Sequence, residues 1–171
     1  MPKPKVALLV GSDSDIPTMQ EGIEILKELQ VPYELHIYSA HRTPDQTLQF
    51  AQRAHQEGFH VIIAGAGMAA HLAGIVAAHT LLPVIGVPME GKLQGLDSLL
   101  STVQMPKGVP VGTVAIGKTG AANAALLAAQ ILALSDEELL KRLQVYRSSM
   151  GKEVLNKDKK LQQYARRFPK N

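Results

Sequence analysis

Five consecutive apolar residues, Val6-Ala7-Leu8-Leu9-Val10, stop at Gly11 and give way to a polar turn. A strand with one wet face alternates apolar and polar residues, so an uninterrupted run of this length reads as a strand covered on both faces. The pattern recurs. Tyr33 to Tyr38, His60 to Ala64, Val84 to Val87 and Val111 to Ile116 read as four more strands, with helical patterns between them. Such alternation marks a parallel sheet wrapped by helices. The expected fold class is α/β, a three-layer α/β/α domain of five parallel strands with a C-terminal helical extension.

The helices have their own grammar. Pro17 can occupy a first helical turn, and Met19, Ile23, Leu26 and Gln30 share a face that ends at Pro32. Thr43-Pro44-Asp45-Gln46 predicts an N-cap and capping box, for a helix closed near residue 57 by Gly58. Ala69 to Thr80 predicts a helix of small residues after a turn at Gly65-Ala66-Gly67, and Ser98 to Val103 a short helix. Ala121 to Leu134 is so rich in Ala and Leu that burial nearly all round is expected. Ser135 and Glu138 predict a capping box opening a last helix, with Leu139, Leu143, Tyr146 and Met150 on one face. The 171 residues therefore read as one domain, with a core over about 5–134 and an extension over 135–171.

The formal net charge of +3 invites a nucleic-acid partner, but its distribution argues against one. Residues 1–140 carry eight Lys and Arg against thirteen Asp and Glu, a net of −5; residues 141–171 carry ten against two, a net of +8. No Trp and few other aromatics interleave with the basic run, so stacking on bases lacks a platform. The absence of cysteine removes zinc-thiolate sites, iron–sulfur clusters and cysteine nucleophiles, and fits a reducing compartment. The start shows no signal-peptide core or membrane span, so a cytoplasmic location and no membrane partner are expected. His71 and His79 are eight apart with no carboxylate between them at ligand spacing, and no metal site is expected.

In an open parallel sheet, ligands bind outside the carboxyl ends of the strands. The first such turn, Gly11-Ser12-Asp13-Ser14-Asp15, offers a permissive glycine, hydroxyls and helix N-terminal amides for a phosphate or carboxylate. Asp15 suits the hydroxyls of a ribose, while Ser14 or Asp15 as a plain helix cap explains the segment equally well. The second turn, Ser39-Ala40-His41-Arg42-Thr43-Pro44, pairs a planar cationic fork for phosphate with an imidazole suited to proton transfer near neutrality. The third holds a decoy. Gly65-x-Gly67-x-x-Ala70 satisfies the dinucleotide fingerprint, and Glu90 stands twenty residues on, yet it follows the third strand rather than the first. His71, in an Ala-rich segment, reads as a supporting residue. Rival readings are a flavin- or nucleotide-binding signalling module, a nucleic-acid binder working through the tail, and a nicotinamide dehydrogenase binding at Glu90.

Six pieces taken together carry a resemblance: Gly11 to Asp15, Ser39 to Pro44, Ala64 to Leu72, Gly86-Val87-Pro88, Val103 to Pro106, and Ala115-Ile116-Gly117 leading to Ala122 to Ala125. In order and content they resemble the N5-carboxyaminoimidazole ribonucleotide mutase family of purine biosynthesis, in its bacterial class I form. The resemblance implies a flavodoxin-like fold, a homo-octamer with sites at subunit contacts, and no metal or organic cofactor. It implies isomerisation of N5-carboxyaminoimidazole ribonucleotide to 4-carboxyaminoimidazole ribonucleotide. Arg42 with Ser12 and Ser39 would hold the phosphate, Asp15 the ribose, and His41 would shuttle a proton. Gly67, Ala69, Ala70, His71 and Leu72 would wall the migrating carboxylate. Two positions depart from the family's common form, where glycine often stands at Met68 and proline at Ala73. The related animal-type carboxylases typically have lysine at Arg42 and lack the Ala69-Ala70-His71-Leu72 run.

Overall fold

The computed structural model describes residues 5–166. β1 (Lys5–Val10) is buried from Val6 onward, as an uninterrupted apolar run requires. It pairs on one side with β2 (Tyr33–Ile37) and on the other with β3 (Phe59–Ala66), and both pairings are parallel. β4 (Val84–Pro88) and β5 (Gly112–Thr113) complete a parallel sheet in the order β2-β1-β3-β4-β5. That is the flavodoxin-like strand order, whose switch point falls between β1 and β3.

Strand alternation divides the core into two layers. Val6, Leu8 and Val10 with Val61, Ile63, Ile85 and Val87 meet α1 (Ile16–Glu28), α5 (Gly117–Leu132) and the start of α6 (Glu137–Arg166). Ala7, Leu9, Ile62 and Ala64 face α2 (Pro44–Arg53) and α3 (Leu72–Ala77). Leu8, Leu9, Ile62 and Ile63 are fully buried, each contributing about 1.5–3 kcal/mol by leaving water. α1 lies close along α5 because Gly22 has no side chain: a Cβ there would sit 2.6 Å from the Ala121 carbonyl oxygen.

Several local expectations are corrected. Gln30 lies beyond α1 in a left-handed turn, with φ of +54°. Thr43 stands at the N-cap of α2 without capping it, because its hydroxyl accepts from the Ser39 amide and donates to the Ser39 carbonyl. α2 ends at Arg53, four residues short of expectation, and a turn carries the chain to Gly58. Gly65 and Ala66 are not a turn but the last residues of β3, and α3 covers only Leu72–Ala77 of the expected 69–80. The fifth strand shrinks to two ladder residues, Gly112–Thr113, at the sheet edge. α4 (Leu96–Val103) begins two residues early and α5 four residues early. One broad face of α5 is buried, while Leu126, Leu127 and Ile131 stay partly open. The cap of α6 is Asp136, whose Oδ1 accepts from the Leu139 amide; the Ser135 hydroxyl donates back to Leu132. Met150 is half-exposed rather than part of the packed face.

Among the described residues, no helix is long and apolar enough to cross a membrane, and no group of three or more His, Asp or Glu is placed to hold a metal ion.

Candidate functional site

The loops that leave β1, β2, β3 and β4 converge at the carboxyl end of the sheet, around the switch point. They enclose a cleft of about 820 Å³. Two backbone bonds tie the loops together: the Gly11 amide donates to the Gly65 carbonyl at 3.2 Å, and the Met89 amide to the Ala66 carbonyl at 2.9 Å. A Cβ at Gly65 would meet the Met89 methyl and the Met19 sulfur, so a larger residue there would displace the ends of those two side chains.

After β1 the chain makes a single 3₁₀ turn, Asp13–Asp15, capped by Ser12. Ser12 and Asp15 form a reciprocal capping box, in which the Asp15 carboxylate accepts from the Ser12 amide at 3.2 Å. The reading of Ser14 or Asp15 as a plain helix cap is corrected: Ser12 caps the 3₁₀ turn, while Asp15 stands at the N-cap of α1 without a side-chain cap bond, its carboxylate turned back to the Ser12 amide. Asp15 also lines the cleft, and one amide bond leaves its carboxylate with accepting capacity. Burial pushes the Asp15 carboxyl above its ordinary range, partly opposed by the Ser12 amide and, more weakly, by Arg42. Asp13 beside it is exposed and held below the usual range by the Ser12 hydroxyl and the Ser14 amide.

The loop after β2 brings Arg42 across to the first turn. Its Nη2 donates to the Gly11 carbonyl at 2.8 Å, and its Nε reaches the Ser39 hydroxyl at 3.4 Å. Ser39 also accepts from the Arg42 amide at 3.1 Å. Ser12, Ser39 and Arg42 therefore form one polar corner, with a fixed cation and two hydroxyls at the end of the cleft.

His41 and His71, thirty residues apart, meet here: Nε2 of His41 lies 2.9 Å from Nδ1 of His71, and the rings are edge to face. His71 does not sit inside a helix as expected; it precedes α3, where its ring is free to reach the cleft. One ring must donate to the other, so the contact couples their tautomers. Gly67, Ala69 and Leu72 line the same cleft, while Ala70 is buried just behind it. The dinucleotide reading fails on geometry. Its first glycine is inside β3 rather than at a turn opening into a helix, and α3 begins two residues after Ala70.

Residues after β4 add what the sequence reading left undecided or missed. Glu90, Gly91, Lys92 and Leu93 all border the cleft. Asp97 does too, and its Oδ1 is buried without a hydrogen-bond partner among the described residues. Starting α4 at Ser98 hid Asp97, although an acidic residue one position before a predicted helix was the available signal.

A protein-family model described as AIR carboxylase matches residues 5–153. The chain is 58% identical to the N5-carboxyaminoimidazole ribonucleotide mutase of Haemophilus influenzae, over 89% of this chain and 93% of that protein. It is 54% identical to the protein of the same description from Bacillus subtilis, over 93% and 99%. The crystal structure of Treponema denticola PurE matches with a TM-score of 0.83 at 28% identity, covering 92% of this chain and 98% of that one. The fold, the cleft and this likeness along most of the sequence agree: the chain belongs to the AIR carboxylase family.

Proposed function

We propose that this protein isomerises N5-carboxyaminoimidazole ribonucleotide to 4-carboxyaminoimidazole ribonucleotide, a step of purine biosynthesis, with His41 as the proton shuttle. The observation that carries the mechanism is the His41–His71 pair standing in the cleft beside the Ser12–Ser39–Arg42 corner. Relatives more than half identical bear the mutase description, which supports the same reaction here.

The substrate's phosphate sits at Arg42, Ser12 and Ser39, where a planar guanidinium and two hydroxyls match its oxygens. Asp15 accepts from the ribose hydroxyls. This leaves the aminoimidazole ring toward His41 and the wall of Gly67, Ala69, His71 and Leu72, with Ala70 backing that wall from behind. Protonated His41 gives its proton to the exocyclic nitrogen as the nitrogen–carboxylate bond breaks, releasing carbon dioxide inside the cleft. Carbon four of the electron-rich ring then attacks the carbon dioxide, and His41 recovers a proton from that carbon. One proton leaves and one returns, so the enzyme ends as it began. A single imidazole can do both near neutral pH, and the His71 contact orients its ring.

A homo-octamer in the cytoplasm is the setting we attach to this reading. The open apolar groove between α5 and α6, lined by Leu126, Leu134, Leu140 and Leu143, supports assembly through that face.

The decisive experiment compares turnover of the carbamate substrate with turnover of 5-aminoimidazole ribonucleotide plus bicarbonate. Activity with the first supports the mutase; activity only with the second assigns a carboxylase instead. His41→Ala abolishes turnover and leaves binding of 5-aminoimidazole ribonucleotide intact; retained turnover removes His41 from the proton step.

A further inference from the structure

Met68 stands apart in the cleft for two independent reasons. Its φ of +57° lies in the left-handed region, where a side chain is penalised and glycine is not. Within its own chain Met68 is 73% exposed, so no packing from that chain offsets the penalty. The other non-glycine residues with positive φ among the described ones, Gln30 and Gln94, are polar and lie in surface turns.

The turn itself needs only the backbone of residue 68. Its carbonyl accepts from the Ala70 amide at 2.9 Å and from the Ser101 hydroxyl at 3.5 Å, contacts that glycine would make equally. What methionine adds is the side chain, and it lines the same cleft as His41 and His71. The neighbouring wall residues, Gly67 and Ala69, are too small to cover anything.

We infer that Met68 is a retention residue: its thioether side chain closes over the seated ribonucleotide and holds the released carbon dioxide against the ring. This rests on the mutase reading above. Carbon dioxide carries no charge for Arg42 or Lys92 to hold, so only a shaped, water-free cover keeps it in place. An unbranched side chain with three rotatable bonds and a polarisable sulfur fits such an irregular gap. Met68 contributes no atom to the reaction. The nitrogen–carbon bond breaks with proton transfer from His41, the carbon–carbon bond forms, and the carbon-four proton returns to His41.

The test uses substrate labelled at the carboxylate carbon, turned over in unlabelled bicarbonate buffer, with the full-length protein and its Met68→Gly and Met68→Leu variants. The unaltered protein returns the label in the product. Met68→Gly does not lower the melting temperature, since glycine relieves the left-handed strain, but it loses label to solvent roughly ten times more often, the factor expected for losing the apolar contact of one side chain with the seated ligand. Met68→Leu restores most of the retention. Equal label retention in Met68→Gly and the unaltered protein overturns the inference. Dissociation of 5-aminoimidazole ribonucleotide, followed by stopped flow, gives a readout that does not need turnover. Faster release from Met68→Gly supports the cover and unchanged release overturns it, whereas inactivity of the unaltered protein overturns only the mutase reading.

Discussion

Replacing His71 by alanine removes the side chain that, among the described residues, hydrogen-bonds the His41 ring, at 2.9 Å, and leaves the phosphate corner untouched. A hydrogen bond between neutral groups contributes about 0.5–1.5 kcal/mol net, and one to a charged group about 1.5–3 kcal/mol. His41 carries the shuttled proton for part of the cycle, so the charged range applies there. Both rings are exposed in the chain, which places the loss at the lower end, about 1.5 kcal/mol. That corresponds to roughly a tenfold fall in kcat. Because His71 is argued to act through His41, KM should stay within about twofold and binding of 5-aminoimidazole ribonucleotide should be unchanged. His71→Gln, which keeps a hydrogen-bonding atom, should recover part of the rate. Steady-state kinetics with the carbamate substrate separate the possibilities. A rise in KM at constant kcat would make His71 a substrate contact instead, and kinetics identical to the unaltered protein would refute any role for the pair.

The remaining expectations concern binding, pH and packing. Arg42→Ala removes a cation from the Ser12–Ser39 corner and should raise KM about a hundredfold with a smaller change in kcat, measured in the same assay. Asp15→Asn should flatten the acid side of the stability profile. Burial raises the native Asp15 carboxyl above its ordinary value near 3.8, so the native state holds the proton more tightly than the unfolded chain does. Stability from this group is therefore greatest below that value and falls as pH rises through the raised one. Urea unfolding across the acid range should show Asp15→Asn gaining on the unaltered protein as pH increases. Gly22→Ala forces a Cβ to within 2.6 Å of the Ala121 carbonyl oxygen. Overpacking of this kind costs about 1–3 kcal/mol, or a melting temperature lower by about 2–12 °C by calorimetry.

Much of the architecture was legible because it depends on short-range pattern. The apolar run at Val6 to Val10 demanded a strand buried on both faces, and it is one. Gly11, Ser39 and Gly67 marked where ligands meet strand ends, and the cleft lies there. Cap bonds failed where a side chain had a competing partner: Thr43 stands at the N-cap of α2 but binds Ser39, and Asp136 displaces Ser135 as the cap of α6. Helix boundaries failed where small residues were ambiguous. Ala69 and Ala70 suit a helix by propensity, yet Met68 turns left-handed and delays α3 until Leu72.

Periodicity, glycine placement and the four rim turns belong to the sequence alone, because each follows from a handful of neighbouring residues. The coupling of His41 to His71, the crossing of Arg42 to Gly11 and the entry of Asp97 into the cleft belong to the tertiary structure. They depend on β1 lying between β2 and β3, with β4 beyond. Strand order is a long-range property of the whole sheet, and no local window of residues contains it.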